Sequence, residues 1–171
     1  MKTNLLLKNL IDVLFILMVP GILGFIFILP LGMFNNTIGN VSVNGYEDVM
    51  NLPVFYWVAV ITGILTYSMM LFALWFLKKS ARYFMDNNLL KEPVSNNLGK
   101  SGFFLILTAI GAFVSYISVW LASFDASGIT MQYGDNLFIP LFLAIVGLFF
   151  KIIANTLTNA RLLKAENDLT I

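Results

Sequence analysis

Residues 54–77 read VFYWVAVITGILTYSMMLFALWFL, a run of 24 residues without a charged side chain. A helix that crosses the hydrocarbon core of a bilayer needs about 20 mostly apolar residues, because each residue adds about 1.5 Å and the core is about 30 Å thick. Trp57 and Trp75 stand near the two ends of the run and would lie about 27 Å apart along a helix axis. Indole rings settle at the two membrane interfaces, so this spacing predicts a transmembrane helix.

Three other runs share this apolar character, and together the four predict an all-α membrane protein, a bundle of four transmembrane helices. The predicted spans are residues 10–34, 54–77, 102–124 and 137–154. Hydrophobic residues make up 59% of the 171 residues and charged residues 11%, whereas a soluble domain carries about 25% charged residues. We therefore exclude a water-soluble globule and expect residues 1–171 to form a single integral membrane domain.

The first run follows two lysines, as the apolar core of a signal peptide would. Such cores are about 7 to 15 residues long and end at a cleavage site of small residues. Residues 10–34 are longer and continue into Asn35-Asn36-Thr37. We therefore expect this helix to be retained.

The basic residues indicate which side of the membrane each loop faces. They fall before span one, between spans two and three, and from the end of span four onward: Lys2, Lys8, Lys78, Lys79, Arg82, Lys91, Lys100, Lys151, Arg161 and Lys164. Loops 35–53 and 125–136 contain no Lys or Arg, and Asn44-Gly45 in the first of them predicts a short hairpin. Because cytoplasmic loops retain Lys and Arg, we expect both termini, and the tail of residues 155–171, on the cytoplasmic side.

The sequence lacks the side chains on which many active sites depend, since it contains no cysteine and no histidine. This excludes thiolate and histidine metal sites, and also Ser-His-Asp and Cys-His hydrolase sites. An aspartyl intramembrane protease needs two facing aspartates, whereas Asp12 is the only acidic residue in the apolar runs. We expect no enzyme activity, no cofactor and no metal, and we assign no catalytic residue.

Asp12 and Lys151 are the charged residues at the margins of the apolar runs. Each lies within about one or two helical turns of the cytoplasmic boundary, so the two side chains would reach the same depth. This predicts an ion pair between spans one and four. Alternatively, Asp12 pairs with Lys8 on its own helix, and Lys151 extends to the lipid headgroups. The sequence leaves both arrangements open.

Small residues recur every three or four positions along span three and would share one helix face. They are Thr108, Gly111, Ser115, Ser118 and Ala122. Span two offers a compatible set, namely Ala59, Gly63, Thr66 and Ala73. Transmembrane helices associate through small residues, which let the backbones approach. We expect this face to pack against another helix, the alternative being a polar substrate path, and the sequence leaves a homo-oligomer open.

The C-terminal tail combines polar and apolar side chains that are candidates for binding a partner protein. They are Glu166, Asn167, Asp168, Leu169 and Ile171. In an extended tail, Leu169 and Ile171 would share one face, because side chains alternate along a strand. Apolar residues on a free chain end gain nothing unless a partner covers them, so we expect the tail to bind one. Alternatively, the tail packs on the chain's own loop 78–101.

The tail, LKAENDLTI over residues 163–171, resembles the closing segment of the bacterial membrane family called domain of unknown function 2975. The resemblance covers the whole length of the chain. It includes the four spans, the opening LKNLI of residues 7–11, and a basic middle loop in which NLGK of residues 97–100 follows Pro93. The resemblance implies a protein of the bacterial plasma membrane with no assigned catalytic residue.

Members of this family are often encoded beside a small helix-turn-helix regulator. The resemblance therefore implies a non-enzymatic membrane protein that senses a signal or sequesters such a transcription regulator. The chain's own net charge of +1 does not suggest direct nucleic-acid binding. The alternative is a small transporter, channel or immunity-type protein. A transporter would need polar residues near the midplane, where the sequence offers only Ser, Thr and Tyr67.

Overall fold

The computed structural model describes residues 2–34, 54–85, 89–123 and 137–169. These residues form four α-helices in chain order, which are α1 (Lys2–Phe34), α2 (Val54–Met85), α3 (Glu92–Ser123) and α4 (Phe138–Leu169). Each helix is long and apolar enough to cross a membrane, so the predicted four-helix fold is confirmed. The hairpin expected at Asn44-Gly45 lies outside the described residues.

All four helices extend well beyond the predicted spans into polar sequence. α1 begins at Lys2, eight residues before the predicted start of span one. α2 continues from residue 77 to Met85, α3 begins at Glu92, ten residues before Gly102, and α4 continues from residue 154 to Leu169. The apolar run limits how far a helix can lie in lipid, whereas the helix itself continues through polar residues of good helix propensity. The bundle therefore carries helical extensions outside its apolar part.

Consecutive helices pack against each other, α1 on α2, α2 on α3 and α3 on α4. The Ser101 hydroxyl near the start of α3 donates to the Ala73 carbonyl late in α2, at 2.9 Å. The Ser115 hydroxyl, later in α3, donates to the Ala59 carbonyl early in α2, at 3.2 Å. α2 and α3 therefore run antiparallel. α1 and α2 are also antiparallel, since Asp12 meets Lys78 and Met18 meets Tyr67. The same holds for α3 and α4, since Glu92 meets Arg161 and Gly102 meets Gly147. All ten Lys and Arg residues lie toward one end of the bundle, which we call the basic end.

Small side chains are prominent among those buried between the helices, while many large apolar side chains face outward. Ala73, Ser80 and Ser101 are almost completely buried, whereas Leu17 and Phe142 are more than 60% exposed. Apolar helices gain no hydrophobic energy by leaving lipid for each other, so close backbone approach through small residues holds them together. The outward-facing apolar side chains suit a lipid surrounding.

A hydrogen bond connects the middle of α1 to α2. The Tyr67 hydroxyl donates to the Met18 carbonyl oxygen at 2.6 Å. Met18 lies two residues before Pro20 within α1. Gly21 makes room for the tyrosine, because a Cβ atom added there would collide with the Tyr67 hydroxyl. This contact sets the distance between α1 and α2 along the groove described below.

Candidate functional sites at the basic end

An ion pair links α1 to α2 at the basic end. Lys78 Nζ lies 3.0 Å from Asp12 Oδ1, and Lys8 Nζ lies 3.7 Å from Asp12 Oδ2. The Asp12 side chain is only 25% exposed. A carboxylate at the margin of the apolar region needs a compensating cation, and here two ammonium groups supply it. The contact between Asp12 and Lys8, which the sequence offered as an alternative, is thus present. Beside it stands the Asp12–Lys78 pair between α1 and α2, which was not predicted.

The expected pair between Asp12 and Lys151 is not formed. Lys151 belongs to α4, and its side chain passes over α3, where a Cβ atom built on Gly102 would lie 3.0 Å from Lys151 Cγ. Because α1 packs on α2 and α4 packs on α3, Lys78 is the lysine of a neighbouring helix that reaches Asp12. Two charges must lie at the same depth to pair, and Asp12 and Lys151 met that requirement in the sequence. Depth alone did not show that α2, and not α4, is the helix beside Asp12.

Two residues of the predicted small-residue face of α3 meet α2 directly. A Cβ atom on Gly111 would collide with Thr66 Oγ1, so the two helices touch at this point. The Ser115 hydroxyl bonds to the Ala59 carbonyl, as described above. Gly111 has no room for a Cβ atom, and the short side chain of Ser115 reaches a main-chain carbonyl, so the α2 and α3 backbones lie close together in the apolar part of the bundle.

Two further residues of this face are buried and satisfied within α3. The Thr108 hydroxyl donates to the Phe104 carbonyl at 2.8 Å, and the Ser118 hydroxyl donates to the Val114 carbonyl at 2.9 Å. The side chain of Ala122 lies outside the described residues. These hydroxyls are bonded to main-chain carbonyls, an arrangement that suits helix packing better than a polar path.

A groove opens between the segment that precedes α3 and the last turns of α4. Its volume is about 570 Å³, and we call it the tail groove. It is lined by Leu89, Leu90, Lys91, Arg161, Lys164, Ala165 and Asp168. Beside it, Arg161 Nη1 lies 3.3 Å from Glu92 Oε2, which ties α4 to the start of α3. The tail groove therefore combines an apolar wall with three basic groups and one acidic group.

The tail is helical as far as Leu169, whereas the sequence predicted an extended end. α4 continues to Leu169 and contains Glu166, Asn167 and Asp168 in its last turns. Ala, Leu, Lys and Glu are strong helix formers, and they dominate this segment. The side chain of Leu169 and the whole of Ile171 lie outside the described residues. The predicted shared face of Leu169 and Ile171 therefore stays a prediction, while Asp168 lines the tail groove beside the chain's own loop.

A second groove lies between α1 and α2 in the apolar part of the bundle. Its volume is about 430 Å³, and we call it the α1–α2 groove. It is lined by Phe15, Ile22, Ser68, Leu71, Phe72 and Trp75. Two lysines stand at its basic end, with Lys78 Nζ 5.1 Å from the Phe15 ring centre and Lys79 Nζ 3.5 Å from the Trp75 ring centre. This groove was not predicted from the sequence, although Trp75 and Lys79 are spaced to share a helix face.

The chemistry available at the basic end is that of charge and apolar surface. Across the four described segments, no group of three or more Asp or Glu side chains is placed to hold a metal ion. The two grooves instead offer ammonium and guanidinium groups next to leucine and aromatic walls. Such surfaces bind ligands that carry both an acidic and an apolar part.

Four apolar helices, each able to cross a bilayer, define a multi-pass helical membrane protein. Residues 37–171 match the family described as protein of unknown function (DUF2975), and the chain belongs to that family. The resemblance noted in the tail and the middle loop is thereby confirmed. No curated protein and no solved structure matched the chain.

Proposed function

We propose that the chain is a non-enzymatic membrane protein that binds a small helix-turn-helix regulator in the tail groove. In this role it holds the regulator at the cytoplasmic face of a bacterial plasma membrane. One observation carries the proposal, namely a groove with exposed leucines that stands outside the lipid. Leu89 is 46% exposed and Leu90 is 37% exposed. Leucines in the membrane-spanning helices are covered by lipid, whereas these two leucines are not.

The depth of the tail groove follows from the length of α4. Lys151 is the first charged residue of α4 and marks the hydrocarbon boundary. Arg161 lies ten residues further along the helix, a distance of about 15 Å. The headgroup layer on each side is only about 5 to 8 Å thick. Water therefore faces the groove, and leucines in water are stabilised when a partner protein covers them.

The charges of the tail groove indicate the character of that partner. Arg161 is engaged by Glu92, whereas Lys91 and Lys164 form no ion pair with any residue that the structure describes. An amphipathic helix with apolar side chains flanked by Asp or Glu would match both the leucines and these lysines. Helix-turn-helix proteins are built from short helices that can present such a surface.

The side of the membrane and the class of partner rest on the sequence. Cytoplasmic segments retain Lys and Arg, and every basic residue of this chain lies toward the basic end. We therefore infer that the basic end faces the cytoplasm, where a DNA-binding protein would be found. The family resemblance, with its neighbouring regulator genes, supplies the helix-turn-helix class.

A binding role without catalysis is favoured by composition. The sequence offers no cysteine thiol and no histidine imidazole for proton transfer or nucleophilic attack. The hydroxyls of Thr108, Ser115 and Ser118 all donate to main-chain carbonyls, which favours packing over passage of a polar solute. We therefore place binding above catalysis and transport.

An affinity pull-down from native membranes tests the proposal. The wild-type chain, carrying an N-terminal tag, should recover a small helix-turn-helix protein that mass spectrometry identifies. The double variant Leu89→Asp and Leu90→Asp should insert normally and recover at least about tenfold less of that protein, because losing two covered leucines costs several kcal/mol.

The matched control places the same two charges on α4 away from the groove lining. Asn155→Asp and Asn159→Asp are exposed substitutions on α4, and this variant should recover the regulator as the wild type does. Equal recovery by the wild type and the Leu89 and Leu90 variant would refute binding in the tail groove. Failure of the wild type to recover any helix-turn-helix protein would refute the proposed partner.

A further inference from the structure

We propose that the α1–α2 groove is a binding site for one anionic phospholipid. An acyl chain lies in the groove, and the phosphate contacts Lys79 and Arg82 at its basic end. The proposal is independent of the regulator discussed above. It rests on the shape of the groove, on the depth of its mouth and on the charges that remain available there.

The walls of the α1–α2 groove suit a hydrocarbon chain. Five of the six lining residues are apolar, namely Phe15, Ile22, Leu71, Phe72 and Trp75. The sixth is Ser68, whose hydroxyl donates to the Ile64 carbonyl at 2.9 Å, so its polar group is already satisfied. On each helix the lining runs over eight residues, a rise of about 10 Å along the axis. The groove therefore receives the part of an acyl chain that is nearest the headgroup.

The mouth of the groove lies where a lipid phosphate would be. Trp57 and Trp75 are about 27 Å apart on α2, which places the Trp75 ring at the edge of the hydrocarbon core. Lys79 lies one turn further, about 6 Å beyond Trp75 along the axis. That position is inside the headgroup layer. An acyl chain held beside Trp75 would thus bring its phosphate to the level of Lys79.

Two positive charges at this mouth are available to an anion. Lys78 is occupied by Asp12, at 3.0 Å. Lys79 forms no ion pair with a carboxylate of the described residues, and its ammonium group is held over the Trp75 ring. Arg82 is exposed and stands three residues after Lys79, on the same side of α2. Lys79 and Arg82 can therefore contact one phosphate group together.

These charges make the site selective for headgroup. The walls would accept the chain of any phospholipid, so the two basic side chains must provide the discrimination. Each basic side chain near a membrane surface favours an anionic lipid by about fivefold. We expect phosphatidylglycerol to be preferred over phosphatidylcholine with the same acyl chains by at least about fivefold.

The fluorescence of Trp75, which lines the groove, provides the measurement. The variant Trp57→Phe and Trp120→Phe keeps Trp75 as the single tryptophan of the chain. The full chain is reconstituted in bilayers of phosphatidylcholine with brominated acyl chains, which quench a tryptophan that they touch. Added unbrominated phosphatidylglycerol should restore the fluorescence at least about fivefold more effectively than unbrominated phosphatidylcholine.

Matched variants separate this site from general attraction to a basic surface. Lys79→Gln with Arg82→Gln should reduce the preference to about one. Lys151→Gln should leave the preference unchanged, because that lysine belongs to α4 and lies against α3. Ile22→Phe should weaken lipid binding by filling the groove, whereas Leu23→Phe, at an exposed neighbouring position, should not.

Three results would overturn the proposal. The first is an equal effect of the two lipids on Trp75 in the single-tryptophan chain that retains Lys79 and Arg82. The second is the same loss of preference in Lys151→Gln as in Lys79→Gln with Arg82→Gln, which would indicate a diffuse surface effect. The third is displacement of the lipid by inorganic phosphate alone, which would show that the acyl chain contributes nothing to binding.

Discussion

Gly102 of α3 and Gly147 of α4 approach each other so closely that neither position has room for a side chain. A Cβ atom on Gly102 would lie 2.5 Å from the Gly147 carbonyl oxygen, and a Cβ atom on Gly147 would lie 2.8 Å from the Gly102 carbonyl oxygen. Both clashes are with backbone, which cannot rotate away. This crossing fixes α4 against α3 and thereby positions the extension of α4 that forms the tail groove.

Gly147→Ala should therefore destabilise the bundle, because α3 and α4 would have to separate. We expect a loss of about 1 to 3 kcal/mol, which is typical of overpacking, and a lower midpoint of thermal unfolding in detergent. Gly63→Ala is the control, since a Cβ atom on Gly63 would meet nothing within 4 Å. Equal stability of the Gly147→Ala variant and the wild type would contradict the close crossing.

The Asp12–Lys78 pair predicts a rescue by charge exchange. Asp12→Lys and Lys78→Asp should each lower the amount of folded protein in the membrane, because each leaves like charges together at the margin of the apolar region. The double exchange should recover more than half of the loss, since it restores opposite charges at the same two positions. The measurement is the yield of monodisperse protein after mild detergent extraction.

Lys151→Asp provides the contrast for this pair. Combined with Asp12→Lys, it should give no recovery, because Lys151 lies against α3. Recovery by this combination, and none by the exchange with Lys78, would show that α1 packs on α4 in the membrane.

The fold was largely predictable from sequence because the apolar runs are long and separated by polar loops. The runs located the four helices, but they did not locate the helix ends. All four helices continue past the runs, from Lys2 in α1, to Met85 in α2, from Glu92 in α3 and to Leu169 in α4. Hydropathy reports where lipid surrounds the chain, whereas backbone hydrogen bonds and helix propensity decide where a helix stops.

The contacts at the basic end were less predictable, since they depend on which helices are neighbours. Asp12 was recognised as a charge in need of a partner, and antiparallel packing of the first two helices places Lys78 at its depth. The sequence analysis instead compared spans one and four. The α1–α2 groove was missed altogether, because a groove is defined by the gap between two helices and not by either helix alone.

The topology predicted from the basic residues can be checked with reporter fusions. A reporter that is active only outside the cytoplasm should work when fused near Asn44 or Gly128, and should fail near Asn88 or Ile171. The physical reason is that basic segments remain in the cytoplasm. An active reporter at Ile171 together with an inactive reporter at Asn44 would show the opposite orientation. The tail groove would then face away from the cytoplasm.

The position of the regulator in living cells tests the central claim most directly. A fluorescent label is placed on the helix-turn-helix protein that the wild-type chain recovers, and its distribution is imaged. With the wild-type chain, we expect the label at the cell membrane. With the Leu89→Asp and Leu90→Asp chain, present in the membrane fraction at an equal amount, we expect the label on the chromosome. A regulator that stays at the membrane with the double variant, or never reaches it with the wild type, would contradict the account.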